Sequence, residues 1–305
     1  MRCDLHVHSR FSGRCTVPVL RRIVDECYAE PEQVYAQARR RGMDLVTLTD
    51  HDTISGALRL AGRADTFVSE EVTCLLPGNR EVHLGVYDLD EGQHEAIAAR
   101  RNDAERLFAY LAEQRLPVAL NHPFAALTGE RAPTDLPFAL ARVGLVEGRN
   151  SMLPASTNRF AADAALALGH GLVGGSDAHA LRSVALAYTV VPRARTRAEF
   201  LAGLRQGFTL PAGRAGSYAR FAADLGTVAA DAYAHTWRTV WNGKEPAKVL
   251  LAFLAAAPLL PFLPLVAAGI YAHEILFARR QGRLYQAGHS RPATPAVVTP
   301  APAAA

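Results

Sequence analysis

The sequence opens on "MRCDLHVHSRFSG", where His6 and His8 are one residue apart, and late in the chain "GGSDAHA" repeats that spacing with Asp177 and His179. Side chains alternate faces along a strand, so residues two apart point the same way and can hold one ion. Between the two pairs, "TLTDHDT" supplies Asp50, His51 and Asp52, "SEEV" supplies Glu70 and Glu71, "EVHLGVY" supplies His83, and "NHP" supplies His122. Six of the eleven histidines therefore stand at or near the ends of apolar runs. Imidazoles and carboxylates in such numbers gather divalent cations. A shared carboxylate lets two cations sit about 3.5 to 4 Å apart, and a water between them becomes acidic enough to yield hydroxide near neutral pH. Without metal, a buried cluster of this kind has no packing rationale and would be costly.

The elements that must position these groups are short apolar runs at residues 3–7, 45–48, 67–72, 82–87, 117–120, 143–146 and 172–173, separated by stretches with helical composition. Residues 32–41, ending at Gly42, and residues 91–114 read as helices. Thr196 and Glu199 form a capping box for another helix, which Gly207 closes. This alternation is the pattern of βα units around a parallel sheet. If that sheet closes into a barrel, the strand ends converge on one rim. Glu147 and Asn150, at the end of the run before residue 150, would then line the pocket or support it from behind.

In this order, "DLHVHS", "TLTDHDT", "SEEV", "EVHLGVY", "NHP" and "GGSDAHA" resemble the metal-binding motifs of the polymerase and histidinol phosphatase (PHP) family, over roughly residues 1 to 215. The resemblance implies an α/β fold, a distorted (β/α)7 TIM-like barrel, with two or three divalent ions (Zn, Mn, Fe or Mg) that hydrolyse phosphate esters by a metal-bridging hydroxide. By position it places His6, His8, Glu71 and Asp177 on one metal, and Glu71, His83 and His122 on a second. His51 and His179 fall to a third. The family often has an aspartate where this chain has Gly13, so the third site needs a substitute acid, Asp50 or Asp52, or is weak. Asp50 has an equally good reading as a turn or helix cap. His179 or a neighbouring acid, Asp177 or Asp50, would serve proton transfer. Arg10, Arg14, Arg149 and Arg182 are the candidates for phosphate recognition, because guanidinium forks match phosphate oxygens.

The 33 basic residues exceed the 29 acidic ones by only four, which implies no nucleic-acid partner. The alternatives are a phosphodiesterase or exonuclease on nucleic acid, a metal-dependent C–N or acyl hydrolase, and an inactive, membrane-tethered binding module. The first lacks an aromatic-interleaved basic run. The four cysteines have no CxxC spacing and follow no secretory signal, which fits reduced thiols in a cytosolic compartment; Cys15 and Cys27 are weak ligand candidates.

The expected domains are a hydrolase barrel at 1–216, a helical linker at 217–246, a hydrophobic membrane anchor at 247–280 and a disordered Pro/Ala-rich tail at 281–305. The anchor expectation rests on the run from Val249 to Ala278, charge-free up to Glu274 and longer than the roughly 20 residues a bilayer span requires. Pro258, Pro261 and Pro264 argue for a kinked span or a hairpin, and a helical pair buried on the barrel is the alternative. The expected location is the cytoplasmic face of the inner membrane, and the expected partner a phosphorylated small molecule.

Overall fold

The computed structural model describes residues 1–14, 24–126, 128–241 and 261–289, together with 247, 251 and 254 singly. Its strands form two sheets. β1 (Arg2–Cys3) joins β7 (Ala187–Val190) and β8 (Leu210–Gly213) in an antiparallel sheet of order β1-β7-β8. The second sheet has the order β2-β3-β4-β5-β6, from β2 (Ser69–Leu76), β3 (Arg80–Tyr87), β4 (Val118–Leu120), β5 (Leu145–Asn150) and β6 (Gly171–Gly175). The fold is mixed α/β, as expected, but the described residues do not show a closed (β/α)7 barrel.

The reason lies in one connection. Only Pro77, Gly78 and Asn79 separate β2 from β3, too few for the crossover that a parallel pair needs. Gly78 and Asn79 adopt φ values of 84° and 57° and turn the chain straight back. β2 and β3 therefore pair antiparallel over their whole length, and β4 continues antiparallel; only β4-β5 and β5-β6 are parallel. The runs at 3–7 and 45–48 contribute isolated bridges, Val7 to Ala178 and Val46 to Thr66, in place of long strands. Side chains take up part of their backbone hydrogen bonding, as in Val7 N donating to Thr49 Oγ1 and Ser9 N to Asp50 Oδ1.

The helices follow their capping signals. α1 (Pro31–Arg40) starts with proline in its first turn, and α2 (Ser55–Leu58) is a single turn. The expected helix at 91–114 is two, α3 (Glu91–Ala98) and α4 (Ala104–Glu113), because Asp103 caps a new start by accepting from Arg106 N. α5 (Asp135–Leu140) and α6 (Ala155–Leu168) flank β5, and α7 (Arg197–Gln206) is capped by Thr196 and closed by Gly207 in the left-handed region. The largest apolar core lies among β2 to β5, α4, α5 and α6.

Beyond residue 216, α9 (Leu263–His289) lies against this core through α6, and α8 (Tyr218–Trp241) packs against α9. Asp224 of α8 is buried and bonds to Ser183, and α9 buries Ala267, Glu274, Phe277, Ala278 and Gln281. Glu274 Oε2 accepts from Ala126 N at 2.8 Å, and Tyr285 meets Phe124 edge to face. Half of the expected anchor is thus a helix docked on the domain, and the first nine residues of the expected tail extend it. Among the described residues no helix is long and apolar enough to cross a membrane. Mean hydropathy along a row does not separate lipid-facing from protein-facing apolar residues, and burying one Phe side chain in a core is worth about 1.5–3 kcal/mol. Most of 248–260 and all of 290–305 lie outside the described residues.

Candidate metal centre

Asp4 sets the first motif against the last. Its buried carboxylate accepts from His6 N, Ser176 N, Ser176 Oγ and Ala185 N. The segment 6–8 therefore runs parallel beside 176–179, with Asp177 N donating to His6 O at 2.6 Å and His8 N to Ala178 O at 3.2 Å. Both two-residue repeats are brought edge to edge, and the His8 and His179 rings stack at 4.3 Å. The glycines of "GGSDAHA" allow this approach: a Cβ at Gly174 would stand 2.6 Å from Tyr188 O, and one at Gly175 only 2.7 Å from His6 N. Asp177 (φ 54°) and His122 (φ 30°) both adopt the left-handed region, which non-glycine residues occupy when the surroundings hold them there.

Glu71 lies at the centre. The bridge between His51 and Glu71 brings the "TDHD" segment alongside β2. Glu71 Oε2 is 3.2 Å from His6 Nε2, 3.5 Å from His8 Nε2 and 3.2 Å from His51 Nδ1. Oε1 is 3.4 Å from His83 Nδ1 and 3.2 Å from His122 Nε2, and accepts from Asn121 Nδ2 at 2.9 Å. Asp177 Oδ1 is 3.4 Å from both His6 Nε2 and His8 Nε2. Among the described residues four triplets have ligand atoms within 4.8 Å of one another: His6, His8 and Asp177; His6, Glu71 and His122; His51, Glu71 and His83; His8, His51 and His179.

Groups behind the site fix which nitrogens face it. His6 Nδ1 is 2.9 Å from Glu147 Oε1, and His8 Nδ1 is 2.9 Å from Ser12 Oγ, which itself donates to Asp50 Oδ1. His179 Nδ1 is 3.1 Å from Asp177 O. With Nδ1–H given to these acceptors, each Nε2 presents a lone pair. His6 Nε2, His8 Nε2, His179 Nε2 and Glu71 Oε2 are buried without a hydrogen-bond partner although they lie close together, and with the imidazoles neutral they meet as acceptors. Such an arrangement suits divalent cations and would be expensive without them. Glu147 and Asn150 are three apart, which on a regular strand puts them on opposite faces. A register shift between Glu147 and Arg149 turns both inward, so Asn150 Nδ2 reaches Glu147 Oε2 and Asp177 Oδ2.

The electrostatics show the same convergence. Burial would raise Glu71 and Asp177, but the surrounding histidines, His6 first, hold both well below the usual carboxylate range. Burial would lower His6, yet Asp177, Glu71 and Glu147 raise it well above its ordinary value. Burial also opposes a charge on His51, and Glu71 and Glu26 raise it to about 9. His8, buried and beside His179 and His51, drops to about 3, and burial lowers His83.

All eight expected ligands, His6, His8, His51, Glu71, His83, His122, Asp177 and His179, meet here. Asp50 and Asp52, the expected substitutes for an acid at position 13, do not. Asp50 accepts from Ser9 N, Ser9 Oγ and Ser12 Oγ, so it holds His8 through Ser12; Asp52 binds Thr73 N and Arg101. Glu70 turns to the opposite face and pairs with His94. The four arginines each have a partner: Arg10 with Glu30, Arg14 with Asp25, Arg149 with Gly213 O and Arg182 with Asp224. The Cys27 thiol is buried, which pushes it up to about 12, and it bonds to His8 O and joins none of the four triplets; Cys15 lies outside the described residues. Its neighbour Glu26, which the motifs do not mark, faces the site: Oε2 is 3.2 Å from His51 Nε2, and Oε1 is 3.6 Å from His179 Nε2. Burial would raise its carboxyl, but His51 and His179 bring it to about 2.

Residues 155–209, which hold α6, β6, Asp177, His179 and α7, match the family described as PHP-associated. An uncharacterised protein of Methanocaldococcus jannaschii is 33% identical over 58 residues, which take in 19% of this chain and 33% of that protein. Among solved structures, a two-domain Bacteroides vulgatus protein containing a predicted PHP-like metal-dependent phosphoesterase has a TM-score of 0.49 at 16% identity, over 70% of this chain and 65% of that one. PsfC of Pseudomonas syringae has a TM-score of 0.49 at 18% identity, over 70% of this chain and 91% of its own. The resemblance read from the motifs thus recurs, independently, in the segment around Asp177 and His179.

Proposed function

We propose that this chain is a metal-dependent phosphoesterase that hydrolyses a phosphorylated small molecule. The observation that carries the reading is the Glu71 carboxylate, one oxygen of which faces His6, His8 and His51 while the other faces His83 and His122. His6, His8, Asp177 and Glu71 would hold one divalent cation, and Glu71, His83 and His122 a second. Such a pair supplies Lewis acidity, acidifying a shared water and neutralising charge on the phosphate oxygens.

The chain's own groups do the rest. Glu147, Ser12 and the carbonyl of Asp177 hold the imidazoles in the tautomer that binds metal. The leaving alcohol would take its proton from solvent at the open edge of the cluster, beside His179. Arg14 and Arg182 stand nearest in sequence to Gly13 and His179. The pair of Arg14 with Asp25 is largely exposed and worth little, so Arg14 can exchange its partner for phosphate, whereas Arg182 would have to leave the buried Asp224.

The test is phosphate release from monoesters, diesters and nucleotides after chelator treatment and readdition of Mn²⁺ or Zn²⁺. Release that is lost with chelator, restored by metal and abolished in folded His8→Ala and Asp177→Ala variants supports the reading. Full activity in both variants, or a metal-loaded protein inert on every phosphate ester, refutes it.

A further inference from the structure

Gly13 leaves the His51–His179 side of the site without the acid expected there, and the chain supplies one from elsewhere. Glu26 N donates to Gly13 O at 2.9 Å, and Arg14 and Asp25 form an antiparallel bridge whose side chains also pair, at 3.3 Å. Residues 13–14 and 25–26 are therefore the two legs of a short ribbon. The carboxylate missing from the outgoing leg stands directly across it, on the return leg.

Resting on the reading of the site as a metal centre, we propose that His51, His179 and Glu26 hold a third divalent cation beside His8, with Glu26 as the carboxylate ligand in place of a residue at position 13. The two Glu26 oxygens divide between the two imidazoles, Oε2 toward His51 Nε2 at 3.2 Å and Oε1 toward His179 Nε2 at 3.6 Å. Glu26 Oε2 and His179 Nε2 are both buried with no hydrogen-bond partner, and His8 Nε2, fully buried, is a third such atom at the same place. The ligand atoms of His8, His51 and His179 already lie within 4.8 Å of one another. His51 stands between two carboxylates, Nδ1 toward Glu71 and Nε2 toward Glu26, so the third site adjoins the Glu71-centred pair. The other acids nearby are committed: Asp50 to Ser9 and Ser12, Asp52 to Thr73 N and Arg101.

Charge arithmetic agrees. Glu71, Asp177 and Glu147 bring three negative charges to two divalent cations, and Glu26 brings a fourth on the side where a third cation would otherwise meet only neutral imidazoles. A borderline divalent ion with two nitrogens and a carboxylate has the three protein ligands of a catalytic-type site, with a position left over for water or substrate.

The experiment is metal stoichiometry of the full chain, stripped with chelator, saturated with Mn²⁺, desalted and measured by elemental analysis. Electron paramagnetic resonance reports the coupled pair separately. We expect about three ions per chain in the wild type, about two in Glu26→Gln with the coupled pair retained, and about three again in Glu26→His, which restores a ligand of another type. Two ions in the saturated wild type, or three in Glu26→Gln, overturn the role of Glu26 while leaving the Glu71-centred pair standing. A wild type that binds none overturns the metal-centre reading itself, and this inference with it.

Discussion

Glu147 touches no proposed metal position, yet its replacement by glutamine should weaken metal binding. Its side chain is almost wholly buried and takes three donors: His6 Nδ1–H at 2.9 Å on Oε1, and His122 N at 2.9 Å and Asn150 Nδ2 at 3.1 Å on Oε2. A glutamine amide has one acceptor oxygen, so its NH₂ must confront one side of that arrangement. If the NH₂ faces His6, the imidazole moves its proton to Nε2 and withdraws the lone pair aimed between Glu71 and Asp177. Loss of such a supporting acceptor costs about 10- to 100-fold in metal affinity, or about 1.4–2.7 kcal/mol. If the NH₂ faces His122 N and Asn150 instead, buried donors lose their acceptor and the cost, about 1–3 kcal/mol, falls on folding. Competition with a chromophoric chelator measures the first loss and urea unfolding of the metal-free protein the second. A Glu147→Gln variant that matches the wild type in both would refute the argument that Glu147 sets the His6 tautomer.

Two further outcomes are expected. His51, held at about 9 in the metal-free protein by Glu71 and Glu26 despite its burial, is protonated at pH 7. Its pairing stabilises the metal-free fold fully below the unfolded value of about 6.5, and this contribution is lost as pH rises through about 9. A ligand imidazole must be neutral, so metal binding at pH 7 releases a proton and affinity climbs toward pH 9. Titration calorimetry in buffers of different ionisation enthalpy would show it, and heats independent of buffer would contradict it. Glu274→Ala removes the acceptor that α9 offers to Ala126 N, in the loop that follows His122, and should cost about 1.5–3 kcal/mol. A shift in the urea midpoint equivalent to under 0.5 kcal/mol would mean that α9 rests on the domain without holding that loop.

The clustered side chains were legible because His-x-His and Asp-x-His are local signals, and they meet although neither pair lies in a long strand and Asp177 adopts φ 54°. Glu70 and Glu71, adjacent in β2, do show strand alternation, one facing His94 and the other the histidine cluster. What the sequence did not reveal depends on contacts distant along the chain. Nothing near Glu26 marks it, since its place follows from a backbone pairing to Gly13. The barrel expectation overlooked the turn at Pro77–Gly78–Asn79, whose brevity dictates an antiparallel pair. The anchor expectation met the ambiguity of apolar runs: Phe277 and Ala278 are buried against protein, and the same hydropathy would suit lipid.

The most direct test of the account is an anomalous difference map from crystals of the full chain soaked in Mn²⁺. The account predicts peaks on both sides of Glu71, one against His6, His8 and Asp177 and one against His83 and His122, about 3.5 to 4 Å apart. A single peak, or none within reach of Glu71, would contradict it.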